Sequence, residues 1–300
     1  MSPHTRARAI VVALAGRGSL LFFRVRAILI PDGANRAGLA CALLVLLGWA
    51  AYRGSLRGGF VYDDATYVVS NEAIRTLSPV SKFFRAENQF PDPKGSRHVW
   101  RPATLFAYAL DYRAAGLDPR AFHLTSLVFH VLNALLVFAL IGLLFGSRQT
   151  AFVTALVFLL HPAQTESVAW VSGLSNPLYL CFYLGSWLLY LRWRGGGSAV
   201  AYAASLLCFA ISLLSKEMAV TLPLALALGE RLGREPAPER WRRYRALLAY
   251  FLLAAAYVLA RSAALGQTAQ VGYWAGGPWP QALTMLGGFA QYVRLALAPV

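Results

Sequence analysis

The chain has 300 residues, of which 58% are hydrophobic and 14% charged. A soluble domain carries about 25% charged residues, so this composition excludes an ordinary water-soluble globule and points to a multi-pass membrane protein. The formal net charge is +15, yet the basic residues gather at the ends of apolar runs, where they anchor helices and set topology; nucleic acid is therefore excluded as their partner.

Residues 1–36 come first. They are basic (Arg6, Arg8, Arg17, Arg24, Arg26, Arg36), and the arginines interrupt the apolar stretch 10–30. This reads as a cytoplasmic or interfacial segment preceding a transmembrane domain over 37–300. A helix needs about 20 apolar residues to cross a hydrocarbon core of ~30 Å. On that criterion the spans are predicted at 37–52, 123–145, 150–160, 168–191, 199–214, 218–228, 246–260 and 282–300, an all-α integral membrane bundle of about eight spans. The runs at 150–160 and 218–228 are only about 16 Å long as helices. Cys41, Cys181 and Cys208 all lie inside apolar runs, with neither metal-ligand nor disulfide spacing, and read as small core residues. Arginine dominates over lysine, which occurs only as Lys82, Lys94 and Lys216; with the abundant alanine, this fits a GC-rich genome.

Charge orients the spans. With the N-terminus in the cytoplasm, the inside segments carry Arg148, Arg192, Arg194 and the run 231–245, while 161–167 outside has no Lys or Arg. That is the positive-inside asymmetry. The long loop 53–122 is the exception, and loops of this length translocate despite their charge. Within it, 79–84 and 101–110 are predicted to form short helices lying on the membrane, the second with Pro102 in its first turn.

Three polar clusters then fall on the outer side. Asp63 and Asp64 open the long loop, His161 to Glu166 follow the third span, and Lys216 with Glu217 follow the fifth. Taken singly, each has a plain structural reading: a solvated loop, a helix end stopped by Pro162, an interfacial ion pair. His123, His130 and Asn133 recur at helical spacing and read as an interhelical hydrogen-bonding stripe. Together on one side, the clusters imply a wet cavity in the outer leaflet, because ionisable groups at that depth are costly without water or a ligand. Arg101 has the fork geometry that suits a phosphate.

The ordered series Phe60-Val61-Tyr62-Asp63-Asp64, Arg101-Pro102, Phe122-His123-Leu124, His161-Pro162 with Glu166-Ser167-Val168-Ala169-Trp170, and Leu213-Leu214-Ser215-Lys216-Glu217-Met218-Ala219 resembles membrane glycosyltransferases of the C-type fold. It is most similar to the transmembrane and tetratricopeptide-repeat O-mannosyltransferases. The resemblance covers residues 37–230, with weaker support beyond. It implies a polyprenyl-phosphate-linked sugar as donor, mannose in most members, and a Ser or Thr hydroxyl of an exported protein as acceptor. It also implies an acidic pair on the first outer loop that supplies the general base, here Asp63 or Asp64, with Asp64 favoured. Lys216 and Arg101 are then the candidates to stabilise the leaving phosphate, with His161 as a further donor. Glu166, Glu217 and His123 complete the substrate-binding set. A divalent ion held by Asp63, Asp64, His161 and Glu166 is conceivable, but no cofactor is expected. The setting expected is the inner membrane of a bacterium with the site extracytoplasmic, the membrane lipids themselves being partners.

Two features depart from the family pattern: the chain stops inside an apolar run, so an incomplete catalytic domain is expected, and residues 1–36 have no counterpart. A sugar acceptor on a lipid or cell-wall glycan remains open. So do two other classes, a transporter and an inert membrane scaffold. A transporter would favour ionisable groups in broken helices near the midplane and internal repeats, neither of which the sequence displays.

Overall fold

A computed structural model describes residues 34–89, 99–232, 237–266 and 277–298. Among the described residues every regular element is helical. The principal helices are α1 (Ala34–Tyr52), α2 (Pro102–Ala115), α3 (Pro119–Phe145), α4 (Arg148–Leu160), α5 (Thr165–Ala169), α6 (Ser175–Arg194), α7 (Ala199–Ser215), α8 (Leu222–Leu232), α9 (Ala237–Leu265) and α10 (Pro278–Leu297). Except for its last three residues, the basic 1–36 segment lies outside the described residues.

Helices long and apolar enough to cross a membrane occupy Asn35–Arg57, Pro119–Phe145 and Arg243–Leu265. The shorter apolar helices include α4 and α7. At 13 residues, α4 reaches only about 20 Å.

Two predicted spans are redrawn: 218–228 becomes a 3₁₀ turn at Glu217–Thr221 followed by α8, which runs on to Leu232, and 168–191 is broken. The run 168–191 does not form one helix. It splits into the short α5, a 3₁₀ turn at Val171–Leu174, and α6. The physical reason is local. The turn packs so tightly on α5 that a Cβ at Gly173 would come within 2.7 Å of the Glu166 carbonyl oxygen, and Pro177 is tolerated because it lies in the first turn of α6. This break frees polar residues that a continuous span would set mid-helix: Ser172 and Ser175 line a small cleft beside Tyr67 and Arg101, and Asn176 lines a separate polar cavity.

Two antiparallel hairpins carry the bundle. In the first, α3 and α4 pair, and His130 Nε2 donates to the Leu159 carbonyl at 3.0 Å. Helix α1 lies against both: a Cβ at Gly48 would sit 2.7 Å from Val131 and 3.0 Å from Leu159, so glycine permits the close approach. In the second, α6 and α7 pair through small residues. Ser186 Oγ donates to the Ser205 carbonyl at 2.8 Å, and Ser205 meets the Tyr250 hydroxyl of α9 at 2.7 Å. Small side chains with hydroxyls allow this approach and satisfy one another where water is absent.

These pairings place the end of α1, the start of α3, the end of α4, the start of α6 and the end of α7 at one end of the bundle. Arg194 and Arg243 lie at the opposite end, where both pair with the buried Glu230 at 3.2 and 3.7 Å. The Tyr190 hydroxyl donates to the same carboxylate at 3.1 Å.

The described residues between α1 and α2 form short turns, among them the predicted helix at Val80–Phe84. It caps the site end through a core of Val68, Ile74, Phe83, Leu105, Tyr108 and Phe122. Beside this core, Asp111 of α2 is buried, with the Thr125 hydroxyl donating to Oδ1 at 2.6 Å and Oδ2 unpaired. Burial pushes the Asp111 carboxyl up to about 6, against the opposing effect of the Thr125 hydrogen bond. An unfolded-chain Asp titrates near ~3.9, so the native state holds the proton more tightly. The associated stability is complete below pH ~4 and is lost as pH rises through about 6. Thermal melts should therefore decline over that window. Asp111→Asn should flatten the slope and stabilise the protein by about 1 kcal/mol at pH 7.5. An unchanged slope in the variant would remove Asp111 as its cause.

Candidate active site

The site end is organised around the turn that bears Asp63 and Asp64. Tyr62 adopts φ 49°, in the left-handed region that costs a bulky residue about 1 kcal/mol or more. This reversal brings the Val61 N–H onto Asp64 Oδ2 at 2.9 Å. The Ser172 N–H donates to Asp64 Oδ1 at 2.8 Å, and the Ser172 hydroxyl donates to the same oxygen. Asp64 is 0% exposed. Both of its oxygens are thus engaged in joining the long loop to the broken segment before α6. Asp63, one residue earlier, is exposed, as is Tyr62, at 89%. A single turn of π-helix follows at Ala65–Val69. Such turns are uncommon and concentrate at functional sites.

His123 lies beneath this turn. Its ring is buried, packed so close to Gly58 that a Cβ there would fall 3.0 Å from Nε2, and the charge of Asp64 is within reach.

Arg101 is held by a carboxylate. Its Nη2 and Nε donate to Glu217 Oε1 and Oε2 at 2.8 and 3.1 Å, the two-point geometry that a guanidinium makes best. Nη1 reaches Ser175 Oγ at 3.4 Å, and the backbone N–H of Arg101 donates to Gln89 Oε1 at 2.9 Å. Burial works to raise the Glu217 carboxyl, but the Arg101 hydrogen bonds and charge outweigh it and hold Glu217 below the usual range. Tyr67, beside this pair, has its hydroxyl pushed up to about 12, first by burial and further by Asp63 and Glu217, against the pull of Arg101.

Lys216 is placed differently. Its ammonium donates to the Asn176 side-chain carbonyl, a neutral partner. It faces a cavity of about 370 Å³ whose polar wall includes His130, Asn133, Gln164, Glu166, Asn176 and Lys216. Burial first, then the nearby Arg101 charge, draws the Lys216 ammonium below the ordinary lysine range, while Glu217 and Glu166 oppose that shift. A half-buried cation without a directly paired anion favours an anionic ligand.

The structure therefore gathers Asp63, Asp64, Arg101, His123, Glu166, Lys216 and Glu217 at one end of the bundle, from five separate stretches of chain. His161 stands apart from the cavity. Its Nδ1 accepts from the Ala163 N–H at 3.2 Å, and its Nε2 donates to the Ala296 carbonyl at 3.2 Å, the bonds of a helix-end residue. Among the described residues no group of three or more His, Cys, Asp or Glu side chains could hold a metal ion, so the quartet Asp63, Asp64, His161 and Glu166 does not assemble as one. Ser172, Ser175, Asn176 and Tyr67 were missed in the sequence. The signal for the first three was a cluster of polar residues inside an apolar run; Tyr67 offered none.

Three curated relatives of this chain carry one description. It is 31% identical over 211 residues to "Protein O-mannosyl-transferase Tmtc1" of Drosophila melanogaster, covering 68% of this chain and 24% of the relative. It is 28% identical over 187 residues to "Protein O-mannosyl-transferase TMTC3" of Homo sapiens, covering 60% and 20%. It is 28% identical over 193 residues to "Protein O-mannosyl-transferase F38B6.6" of Caenorhabditis elegans, covering 62% and 27%. The chain is a relative of the protein O-mannosyl-transferases. It spans about a fifth to a quarter of the length of these relatives. No family model matches the chain, and no solved structure does. Kinship with the O-mannosyl-transferases makes the exposed carboxylate, the cavity and the ammonium that faces it the groups whose chemistry needs explaining.

Proposed function

We propose that this chain is the membrane-embedded catalytic part of a glycosyltransferase. It moves a mannose from a polyprenyl-phosphate-linked donor to a Ser or Thr hydroxyl of an exported protein. The observation that carries this reading is the pairing, at one end of the helical bundle, of a solvent-facing carboxylate with an ammonium that faces a polar cavity. On this reading the chain takes the C-type glycosyltransferase fold with about eight crossings, its N-terminus cytoplasmic and its site extracytoplasmic. The arginines at the far end, Arg194 and Arg243, support that orientation.

In the proposed step, Asp63 accepts the hydroxyl proton as the oxygen bonds to the sugar's anomeric carbon. The bond from that carbon to the phosphate oxygen breaks, and its electron pair leaves with the polyprenyl phosphate. Lys216 faces the growing negative charge, where a preplaced cation in a water-poor cavity stabilises it most. The geometry favours Asp63 over Asp64 as base, because both Asp64 oxygens are already bonded. It favours Lys216 over Arg101 for the phosphate, because Arg101 is bound at two points by Glu217. No metal ion takes part in the step.

The test is transfer from polyprenyl-phosphate mannose to a Ser/Thr peptide by the full chain in lipid nanodiscs, with EDTA present. Transfer is expected to persist in EDTA. Lys216→Ala should raise the donor KM about 10- to 100-fold, the range for a lost charged hydrogen bond, and leave the acceptor KM unchanged. Absence of hexose transfer to any hydroxyl acceptor sinks the activity, and an unchanged donor KM sinks the role of Lys216.

A further inference from the structure

The cavity below Lys216 contains a buried acceptor with nothing to accept. Asn133, on α3, is 0% exposed. Its Nδ2 donates to the Pro177 carbonyl at 2.8 Å. A carbonyl can only accept, so this bond fixes which way round the amide sits and turns Oδ1 away from Pro177. Oδ1 has no hydrogen-bond partner among the described residues, and Asn133 lines the cavity.

An orphaned acceptor at this depth costs as much as a lost hydrogen bond unless the occupant of the cavity donates to it. A polyprenyl chain has no donor. A phosphate oxygen is itself an acceptor and would be repelled. A hydroxyl meets the need. The cavity thus presents two different chemistries: an ammonium for an anion at Lys216, and a fixed carbonyl for a hydroxyl at Asn133. Glu166 and Gln164 on the same wall add hydrogen-bonding groups suited to a polyol, and about 370 Å³ falls within the usual range of small-ligand sites.

Resting on the glycosyltransferase reading above, we propose that this cavity seats the sugar ring of the donor, and that Asn133 is a specificity-determining residue whose Oδ1 accepts one particular ring hydroxyl. The amide is pre-oriented by the Pro177 carbonyl, so it reads the hydroxyl without reorganising on binding. Sites built to bond a hydroxyl discriminate strongly against analogues that lack it, because the protein group is then left buried and unpaired.

The experiment measures binding rather than turnover, with the full chain in nanodiscs and three probes: polyprenyl phosphate, polyprenyl-phosphate mannose, and the set of monodeoxy-mannose derivatives of the latter. In the wild type, one monodeoxy derivative is expected to bind about 10- to 100-fold more weakly than the parent. In Asn133→Ala the parent should weaken by a similar factor and bind no better than that derivative. Binding of bare polyprenyl phosphate should not change. Equal weakening of bare phosphate and mannose lipid in Asn133→Ala would overturn the proposal in favour of a packing role. So would a wild type that tolerates every monodeoxy derivative within twofold, a result that needs no variant to fold. If the wild type binds neither lipid, the glycosyltransferase reading itself fails; binding of both without hydroxyl discrimination defeats this inference alone.

Discussion

Asp63→Asn is expected to lower the rate of mannose transfer by about 10²- to 10⁴-fold, the range in which a positioned general base operates, while the melting temperature stays within a degree or two of wild type. The exposed carboxylate makes no side-chain hydrogen bond that would hold the fold, so the change costs little structure. A hydroxyl is a poor nucleophile until a base is within reach, whereas a phosphate leaves readily, so the base is the group whose loss the rate feels most. The donor KM should hardly move, because Asp63 does not line the cavity that Lys216 faces. The measurement is a steady-state assay paired with a thermal melt in the same nanodiscs. Full turnover by Asp63→Asn would remove it from the chemistry.

The neighbouring residue should behave in the opposite way. Asp64→Asn is expected to destabilise the protein by about 3 kcal/mol. Three donors converge on the Asp64 carboxylate, from Val61 and from the backbone and hydroxyl of Ser172. An asparagine amide group must turn its own N–H₂ toward at least one of them. A hydrogen bond to a charged group contributes about 1.5–3 kcal/mol, and a stranded buried donor costs about 1–3 kcal/mol. The loss falls on a joint: Asp64 fastens the outer loop to the turn at Val171–Leu174, between α5 and α6. Activity should fall with the melting transition and recover on cooling. Asp64→Asn with an unchanged melting temperature and no activity would instead make Asp64 the base and Asp63 a bystander. Two adjacent identical residues thus carry separable predictions, because one faces water and the other faces three N–H and O–H groups.

Much of this was legible along the chain. Apolar length located the helices, because burying a backbone in lipid demands continuous helical hydrogen bonding. The pattern of arginines predicted which ends lie together, and the pairings of α3 with α4 and α6 with α7 agree with it. Pro102 was read in the first turn of a helix and Pro162 as the stop of the preceding one, and α2 begins at Pro102 while α4 ends at Leu160, since proline is tolerated where no N–H is needed and blocks a helix elsewhere. The shortness of the 150–160 run was also visible, and α4 ends well short of a bilayer's thickness.

What stayed hidden depends on partners remote in sequence. Nothing in two successive aspartates says which is exposed; that is decided by Ser172, 108 positions away. The two cations also look alike in sequence. Arg101 is occupied by Glu217 across 116 positions, and Lys216, next to Glu217, meets only an amide. Sequence alone determined that this is a helical, lipid-facing chain with its acids and bases at the ends of apolar runs, because hydrophobicity and charge are properties of single residues summed locally. The tertiary structure alone decided which carboxylate faces water, which cation meets a neutral partner and that Asn133 lines a cavity, because pairing and burial are properties of neighbours that the chain brings together only by folding.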